Sequence, residues 1–167
     1  LLDQPCPVER MSAVYALGRN PFPSAVEKLI CLLETDDNAY VRRATAWSLA
    51  NYDNQIVLKP LINSLKNDVA SVRLWSSSSL AEIGSTSSSN AQLAAEQLLI
   101  SLKIDNEPVV RSNCIWSLCR LFEKLNEISQ ESFVDECTKI ALFDKEPSVM
   151  EEAKTALDSM GMKGFYK

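Results

Sequence analysis

Histidine is absent from this chain of 167 residues. Its absence removes the commonest general base, the commonest zinc and iron ligand and the usual partner of a catalytic serine or cysteine. Basic residues are also in the minority, with 17 Lys and Arg against 22 Asp and Glu and a net charge of −5. Phosphate binding needs a basic stripe, which the sequence does not offer, so nucleic acid is not an expected partner.

Long apolar runs are missing as well. No segment approaches the roughly 18 consecutive apolar residues that span a bilayer, and the opening LLDQPCPVER lacks the charged and apolar regions of a signal peptide. The sequence therefore predicts a cytoplasmic protein without membrane insertion. Because residue 1 is Leu and already lies within a helical pattern, we expect the natural chain to begin upstream.

Cysteine is present in an odd number and forms no C-x-x-C pair. Structural zinc needs four suitably spaced ligands, so no metal site is predicted, and most of these thiols are expected to be small core residues in a reducing compartment. The five residues are Cys6, Cys31, Cys114, Cys119 and Cys137. Neither a catalytic residue nor a cofactor is predicted.

A nine-residue pattern that recurs five times organises the chain. The copies are ERMSAVYAL (9–17), VRRATAWSL (41–49), VRLWSSSSL (72–80), VRSNCIWSL (110–118) and VMEEAKTAL (149–157). Their final leucines recur about every 31 to 39 residues, a period typical of helical repeats. The first, fifth, eighth and ninth positions fall on one side of an α-helix and hold apolar or small residues.

A second helix is predicted upstream of each of the later four copies. These segments are 24–34, 56–66, 91–103 and 131–143, and each is followed by an acidic turn, TDDNA, NDVA, DNEP or DKEP. The Asp and Asn residues of the turns can cap the next helix. The pattern therefore predicts a stack of antiparallel helix pairs, an α-solenoid.

Three features interrupt the rhythm. GSTSSSN (84–90) is predicted to be a mobile loop, and NEISQ (126–130) is predicted to be a second long connection. Both explain the longer spacings in the second half of the chain. Pro60 is expected to kink the helix that contains it.

The motif L-x-N/D-D-x-x-x-V-R-x-x-A/S-x-x-x-A/S-L, as in LKNDVASVRLWSSSSL (65–80), resembles HEAT repeats. It is most similar to the short type named after the phycobilisome lyases of cyanobacteria, whose Ala-Leu-Gly ending is also found in RMSAVYALGRN (10–20). The resemblance implies a right-handed, all-α solenoid of about five HEAT-like helix pairs, the first incomplete, in a single array over 1–167. The expected units are 1–20, 23–52, 54–84, 91–124 and 130–161, with a tail at 162–167.

Arginine occupies the second position of four of the five copies, as Arg10, Arg42, Arg73 and Arg111. We expect these side chains to bond the turn aspartate of their own or the next unit, such as Asp36, Asp68 or Asp105. Arg43 and Arg120 lie off this column and are expected to be available to a ligand. The serine run 76–79 is interpreted as a small packing face whose hydroxyls bond carbonyls one turn back.

Aromatic residues recur at the seventh position, as Tyr15, Trp47 and Trp116. That position lies at the edge of the apolar stripe, and Trp and Tyr dominate binding hot spots. The sequence predicts a partner-binding groove that these rings form on the concave face, flanked by Met11, Arg43, Leu74 and Arg120. The alternative is that the rings only fill space between neighbouring helices.

The favoured function is a non-catalytic protein–protein interaction scaffold or chaperone-like adaptor. The resemblance implies phycobiliprotein or phycobilisome maturation or turnover, with a phycobiliprotein as partner. One alternative is a bilin lyase subunit that binds a linear tetrapyrrole. Of the functions considered, this one alone would give the protein a cofactor, the bilin. Another is an adaptor for an iron–sulfur scaffold protein.

Overall fold

The structure, a computed structural model, describes residues 1–52, 55–162, 164 and 166. Over those residues it is built from α-helices joined by short turns, with no strand. The nine described helices are α1 (Pro7–Arg19), α2 (Val26–Thr35), α3 (Ala39–Leu49), α4 (Leu58–Asn67), α5 (Ala70–Gly84), α6 (Ser88–Ile104), α7 (Pro108–Leu121), α8 (Glu127–Phe143) and α9 (Pro147–Ser159). The all-α fold class is confirmed.

The chain divides into two compact units, Leu1–Ile83 and Gly84–Lys167. In the first unit α1 packs against α3, and α2 packs against both α3 and α4. In the second unit α6 packs against α7 and α8, and α9 packs against α7 and α8. Each unit is therefore a stack of antiparallel helix pairs in two layers.

All five copies of the nine-residue pattern lie inside helices, in α1, α3, α5, α7 and α9. The helices predicted upstream of them coincide with α2, α4, α6 and α8. The small residues at the fifth position of three copies, Thr45, Ser76 and Cys114, are fully buried. Their small volume lets the two helices of a pair approach closely, as the pattern indicated.

The acidic turns carry polar contacts of two kinds. The Asn38 side chain caps α3 by accepting the N–H of Tyr40 at 2.9 Å, as expected for a turn residue. Asp105 and Asp144 instead accept the N–H of the residue two positions on, each at 2.9 Å. In these two turns a proline is the first helical residue, where no N–H is needed.

The loop predicted at 84–90 is shorter than expected, since only residues 85–87 lie between α5 and α6. Ser87 caps α6 by accepting the N–H of Asn90 at 3.1 Å, so the last three residues of the segment form the first helical turn. NEISQ is likewise helical from Glu127 onward, with Asn126 as the cap of α8. The longer spacing in the second unit has a different cause, since α6 and α8 have 17 residues each whereas α2 and α4 have 10.

Pro60 lies in the first turn of α4, after a short 3-10 turn at Gln55–Val57. A proline there removes no helical hydrogen bond, so it marks a helix start and not the predicted kink. The predicted unit boundary at residue 54 and the predicted tail residues 163, 165 and 167 lie outside the described residues.

Candidate functional site

The arginine column forms bidentate ion pairs with turn aspartates. Arg10 Nε donates to Asp36 Oδ2 at 2.7 Å and Arg10 Nη2 donates to Oδ1 at 2.9 Å. Arg42 holds Asp68 in the same way, at 2.8 and 2.7 Å. In the second unit Arg111 holds Asp144, at 3.1 and 2.7 Å.

Each of these arginines pairs with the aspartate of the next helix pair, so the predicted bonding to turn aspartates is confirmed for three of the four arginines. We call these Arg–Asp pairs the ladder. The same guanidinium groups also donate to carbonyls of the turn that precedes their own helix, as Arg42 does to Asp36 O at 2.7 Å. These three arginines therefore tie neighbouring helix pairs together.

The electrostatics of this ladder are clearest at Asp36. Burial acts to raise the pKa of this carboxyl, but the hydrogen bonds from Arg10 and from the Asn38 N–H outweigh it, and the pKa is lowered below 3.8. The hydrogen bond to Asp36 correspondingly raises the pKa of Arg10. The pair is therefore fully charged at neutral pH.

Tyr15 and Trp47 lie against each other in the first unit. Their ring centroids are 5.4 Å apart at an interplanar angle of 58°, a tilted arrangement that aromatic pairs favour. Both side chains are half-buried. A Cβ built on Gly18 would lie 2.3 Å from Trp47 Cζ3, so the indole ring of α3 rests directly on the α1 backbone. Trp47 thus fills space between two helices.

Met11 and Arg43 meet at a small cleft one helical turn away from this ring pair. The cleft has a volume of about 150 Å³ and is lined by Pro7, Val8, Met11, Asn38, Tyr40 and Arg43. The Arg43 guanidinium carbon lies 5.2 Å from the centroid of the Tyr40 ring, within cation–π range. Met11 and Tyr15 are i, i+4 neighbours on α1, as Arg43 and Trp47 are on α3, so these four predicted residues form one strip across two helices.

Trp116 and Arg120 form a separate pair on α7 in the second unit. Trp116 is 39% exposed, and the Arg120 guanidinium carbon lies 5.0 Å from its ring centroid. The i, i+4 spacing places the two side chains on one face of the helix. Leu74 of α5, the remaining predicted residue, is half-buried.

Tyr40 is the residue that sequence reasoning missed. It is 62% exposed and lines the cleft with Met11 and Arg43. Tyr40 immediately precedes the copy that starts at Val41, so it lies outside the nine-residue pattern. Its position three residues before Arg43 on a predicted helix was the available signal.

The serine run of α5 bonds across helices as well as within one. Ser76 Oγ donates to Ser64 Oγ of α4 at 2.9 Å, and Ser79 Oγ donates to Ala46 O of α3 at 2.8 Å. Ser77 bonds the Leu74 carbonyl at 2.7 Å, as the back-bonding prediction required. The run is a polar seam inside the first unit.

The cysteines differ in their surroundings. Cys114 and Cys137 are buried as predicted, whereas Cys6 and Cys31 are exposed. Burial, with a smaller contribution from the charge of Glu152, raises the pKa of the Cys119 thiol to about 11. This thiol is protonated at neutral pH and is a poor nucleophile. Among the side chains that the structure describes, no three His, Cys, Asp or Glu residues converge as metal ligands.

Comparison with known sequences identifies repeats in the first half of the chain. A family model described as HEAT repeats matches residues 1–81. No curated protein sequence matches the chain. Within the described residues, every helix is too short or too polar to cross a bilayer.

Solved structures with a similar fold cover nearly the whole chain. A designed armadillo repeat protein in complex with the peptide (KR)4 has a TM-score of 0.64 and 19% identity, over 98% of this chain and 86% of that one. An engineered protein has a TM-score of 0.65 and 22% identity, over 94% and 76% of the two chains. Another designed armadillo repeat protein has a TM-score of 0.62 and 20% identity, over 93% and 77%. The likeness shows a helical-repeat fold.

Proposed function

We propose that the protein is a non-catalytic interaction scaffold that binds a protein or peptide segment through exposed side chains of the helices that contain the nine-residue pattern. The observation that carries this proposal is the Trp116–Arg120 pair on α7. The Trp116 indole is 39% exposed and has a guanidinium 5.0 Å from its centroid. A partner can therefore contact both groups at once.

Trp and Arg are the residue types most enriched at binding hot spots, because they bury large areas and retain a polar group. The cation–π contact with Arg120 favours one arrangement of the two side chains. Restriction before binding lowers the entropy lost when a partner orders them. The pair therefore has the composition and the preorganisation of an interface anchor.

The cleft of Met11, Tyr40 and Arg43 is the corresponding feature of the first unit. It combines an apolar floor, an exposed ring and a cation within about 150 Å³, which suits a single side chain of a partner. Tyr15 and Trp47 support the cleft from the next turn. In this proposal Trp47 is a positioning residue, and Tyr40 joins Met11 and Arg43 in contact with the partner.

The fold itself supports a segment-binding role. The designed armadillo repeat protein with the same fold is described in complex with a peptide. Stacked helix pairs present side chains at regular intervals along an extended surface, and such surfaces suit extended partners.

The experiment that tests the proposal is affinity capture from the native lysate with a purified tagged chain. We expect Trp116→Ala and Arg120→Ala to lose the captured protein, because each removes half of the anchor. Leu93→Ala is the matched control, since Leu93 is an apolar residue of α6 that is 47% exposed. Retention of the same protein by all three variants would contradict the proposal.

The identity of the partner is proposed from the sequence resemblance to the HEAT-like repeats of the phycobilisome lyases. A phycobiliprotein would be the captured protein if the scaffold acts in the cytoplasm in phycobilisome maturation or turnover, and an iron–sulfur scaffold protein if it acts in cluster assembly. The bilin lyase alternative predicts that the chain binds a free linear tetrapyrrole and shifts its red absorbance. Titration of the purified chain with bilin separates that alternative, because a pure adaptor leaves the spectrum unchanged.

A further inference from the structure

The second unit has a concave feature that shares no residue with the Trp116–Arg120 pair. This feature, the α8 cleft, lies along the N-terminal half of α8 and has a volume of about 330 Å³. It is lined by Phe122, Glu127, Gln130, Glu131, Val134, Asp135 and Met162. Three of these side chains are apolar, three are carboxylates and one is an amide.

The floor of the α8 cleft is firmly held. The Phe122 ring packs on the fully buried ring of Phe133, with centroids 6.2 Å apart. Gln130 Nε2 donates to Phe122 O at 2.8 Å and so ties the 3-10 turn Phe122–Lys124, which follows α7, to α8. Val134 and Met162 complete the apolar surface. The cleft is preformed.

The rim is a row of carboxylates on one side of α8. Glu127, Glu131 and Asp135 are exposed and four residues apart, so they recur about every 6 Å along the helix. None of the three forms an ion pair within the described part of the chain, whereas Glu136 of the same helix pairs with Lys139 at 3.6 Å. No described residue of the cleft is basic.

An apolar floor beside unpaired carboxylates fits a side chain with an aliphatic stem and a cationic end. Arg and Lys have that structure, and Arg also stacks on an aromatic face such as that of Phe122. In an extended chain, side chains on one face recur about every 6.6 Å, close to the spacing of the rim.

We propose that the α8 cleft binds an extended basic segment of a partner protein, with Arg or Lys at alternate positions facing the carboxylate row. This surface goes beyond the proposed scaffold function and does not depend on it. Loss of the Trp116–Arg120 anchor leaves the α8 cleft intact, so the two proposals fail separately.

The test is fluorescence anisotropy of a labelled Arg-Ser-Arg-Ser-Arg-Ser peptide with the whole chain at low salt. We expect the triple variant Glu127→Gln/Glu131→Gln/Asp135→Asn to weaken binding about tenfold, since three exposed ion pairs are lost together. The control variant Glu27→Gln/Glu34→Gln/Glu96→Gln removes the same charge from exposed carboxylates elsewhere and is expected to change binding less than about twofold. Equal weakening by the two variants would overturn the proposal, because net charge alone would then explain binding.

The floor is tested by Met162→Lys, which places a cation in the cleft. We expect it to abolish binding, whereas Met160→Lys, at a half-buried position outside the lining, retains binding. Trp116→Ala is expected to bind the peptide normally. Binding that appears only in a chain shortened to end at Met162 would overturn the proposal in favour of the chain's own tail as occupant.

Discussion

Trp47 and Trp116 occupy the same position of the repeat in two different units, and their surroundings differ. Trp47 lies on the backbone of Gly18 and against the ring of Tyr15. Trp116 is 39% exposed and carries Arg120 on its face. The repeat position therefore sets the edge of the apolar stripe, while the neighbouring helix decides whether a ring at that edge is covered.

The two units share one set of contacts and differ in another. The Arg–Asp pairs have the same bidentate geometry in both units. The aromatic position is packed in one unit and accessible in the other. We infer that the ladder maintains the stack and that Trp116 is the better candidate for a partner contact.

The largest expected effect is that of Trp47→Ala. Loss of a ring packed between α1 and α3 leaves a cavity and lowers the free energy of unfolding by about 3 kcal/mol. Urea unfolding followed by circular dichroism measures the change. A loss below that of Trp116→Ala would show that Trp47 does not pack as described.

Gly18→Ala also tests the packing of Trp47 on α1, because the added Cβ would lie 2.3 Å from the Trp47 ring. We expect a loss of about 2 kcal/mol from overpacking. The double variant Gly18→Ala/Trp47→Leu should lose less than the sum of the single variants, since a smaller side chain relieves the clash. Additive losses in a double-mutant cycle would contradict the direct contact.

The shared ladder is tested by Asp36→Asn in the first unit and Asp144→Asn in the second. Each change removes a charged acceptor from a nearly buried arginine and is expected to cost about 1.5 kcal/mol. Similar losses in urea unfolding would confirm that the ladder serves both units alike. A clear loss in one unit only would break that equivalence.

The pH dependence of stability follows from the sign of the Asp36 shift. Because the pKa of the folded state is lowered below 3.8, Asp36 stabilises the fold fully above its unfolded pKa, and this contribution is lost as the pH falls through the folded pKa. The stability difference between wild type and Asp36→Asn should therefore shrink from about pH 5 to about pH 2. A difference that grows on acidification would contradict the assignment.

The smallest effect is expected for Trp116→Ala. An exposed ring contributes little to the core, so the free energy of unfolding should change by less than about 1 kcal/mol. A loss as large as that of Trp47→Ala would mean that the two rings have the same structural role.

The fold was predictable from the sequence because every repeat carries the same small and apolar positions. Arg10, Arg42 and Arg111 recur in register, and the ion-pair geometry follows from that register. The sequence did not predict that α6 begins at Ser88 and α8 at Glu127. Both segments have the composition of a loop, but the polar caps at the preceding residues stabilise the helical conformation.

The candidate site was predictable only in part. The pattern located Trp47 and Trp116 at the edge of the apolar stripe. The exposure of each ring depends on the neighbouring helix, and in the case of Trp47 that helix is α1, whose Gly18 leaves room for the indole ring. The α8 cleft joins residues from the turn after α7, from α8 and from the segment after α9. Periodicity along one helix cannot reveal such a combination.

Acrylamide quenching of two single-tryptophan chains tests the central comparison most directly. One chain retains Trp116 (Trp47→Phe/Trp75→Phe) and the other retains Trp47 (Trp75→Phe/Trp116→Phe). We expect Trp116 to be quenched severalfold more efficiently than Trp47, because its ring is more exposed to solvent. Equal quenching of the two chains would contradict the claim that one repeat position packs in the first unit and is open to a partner in the second.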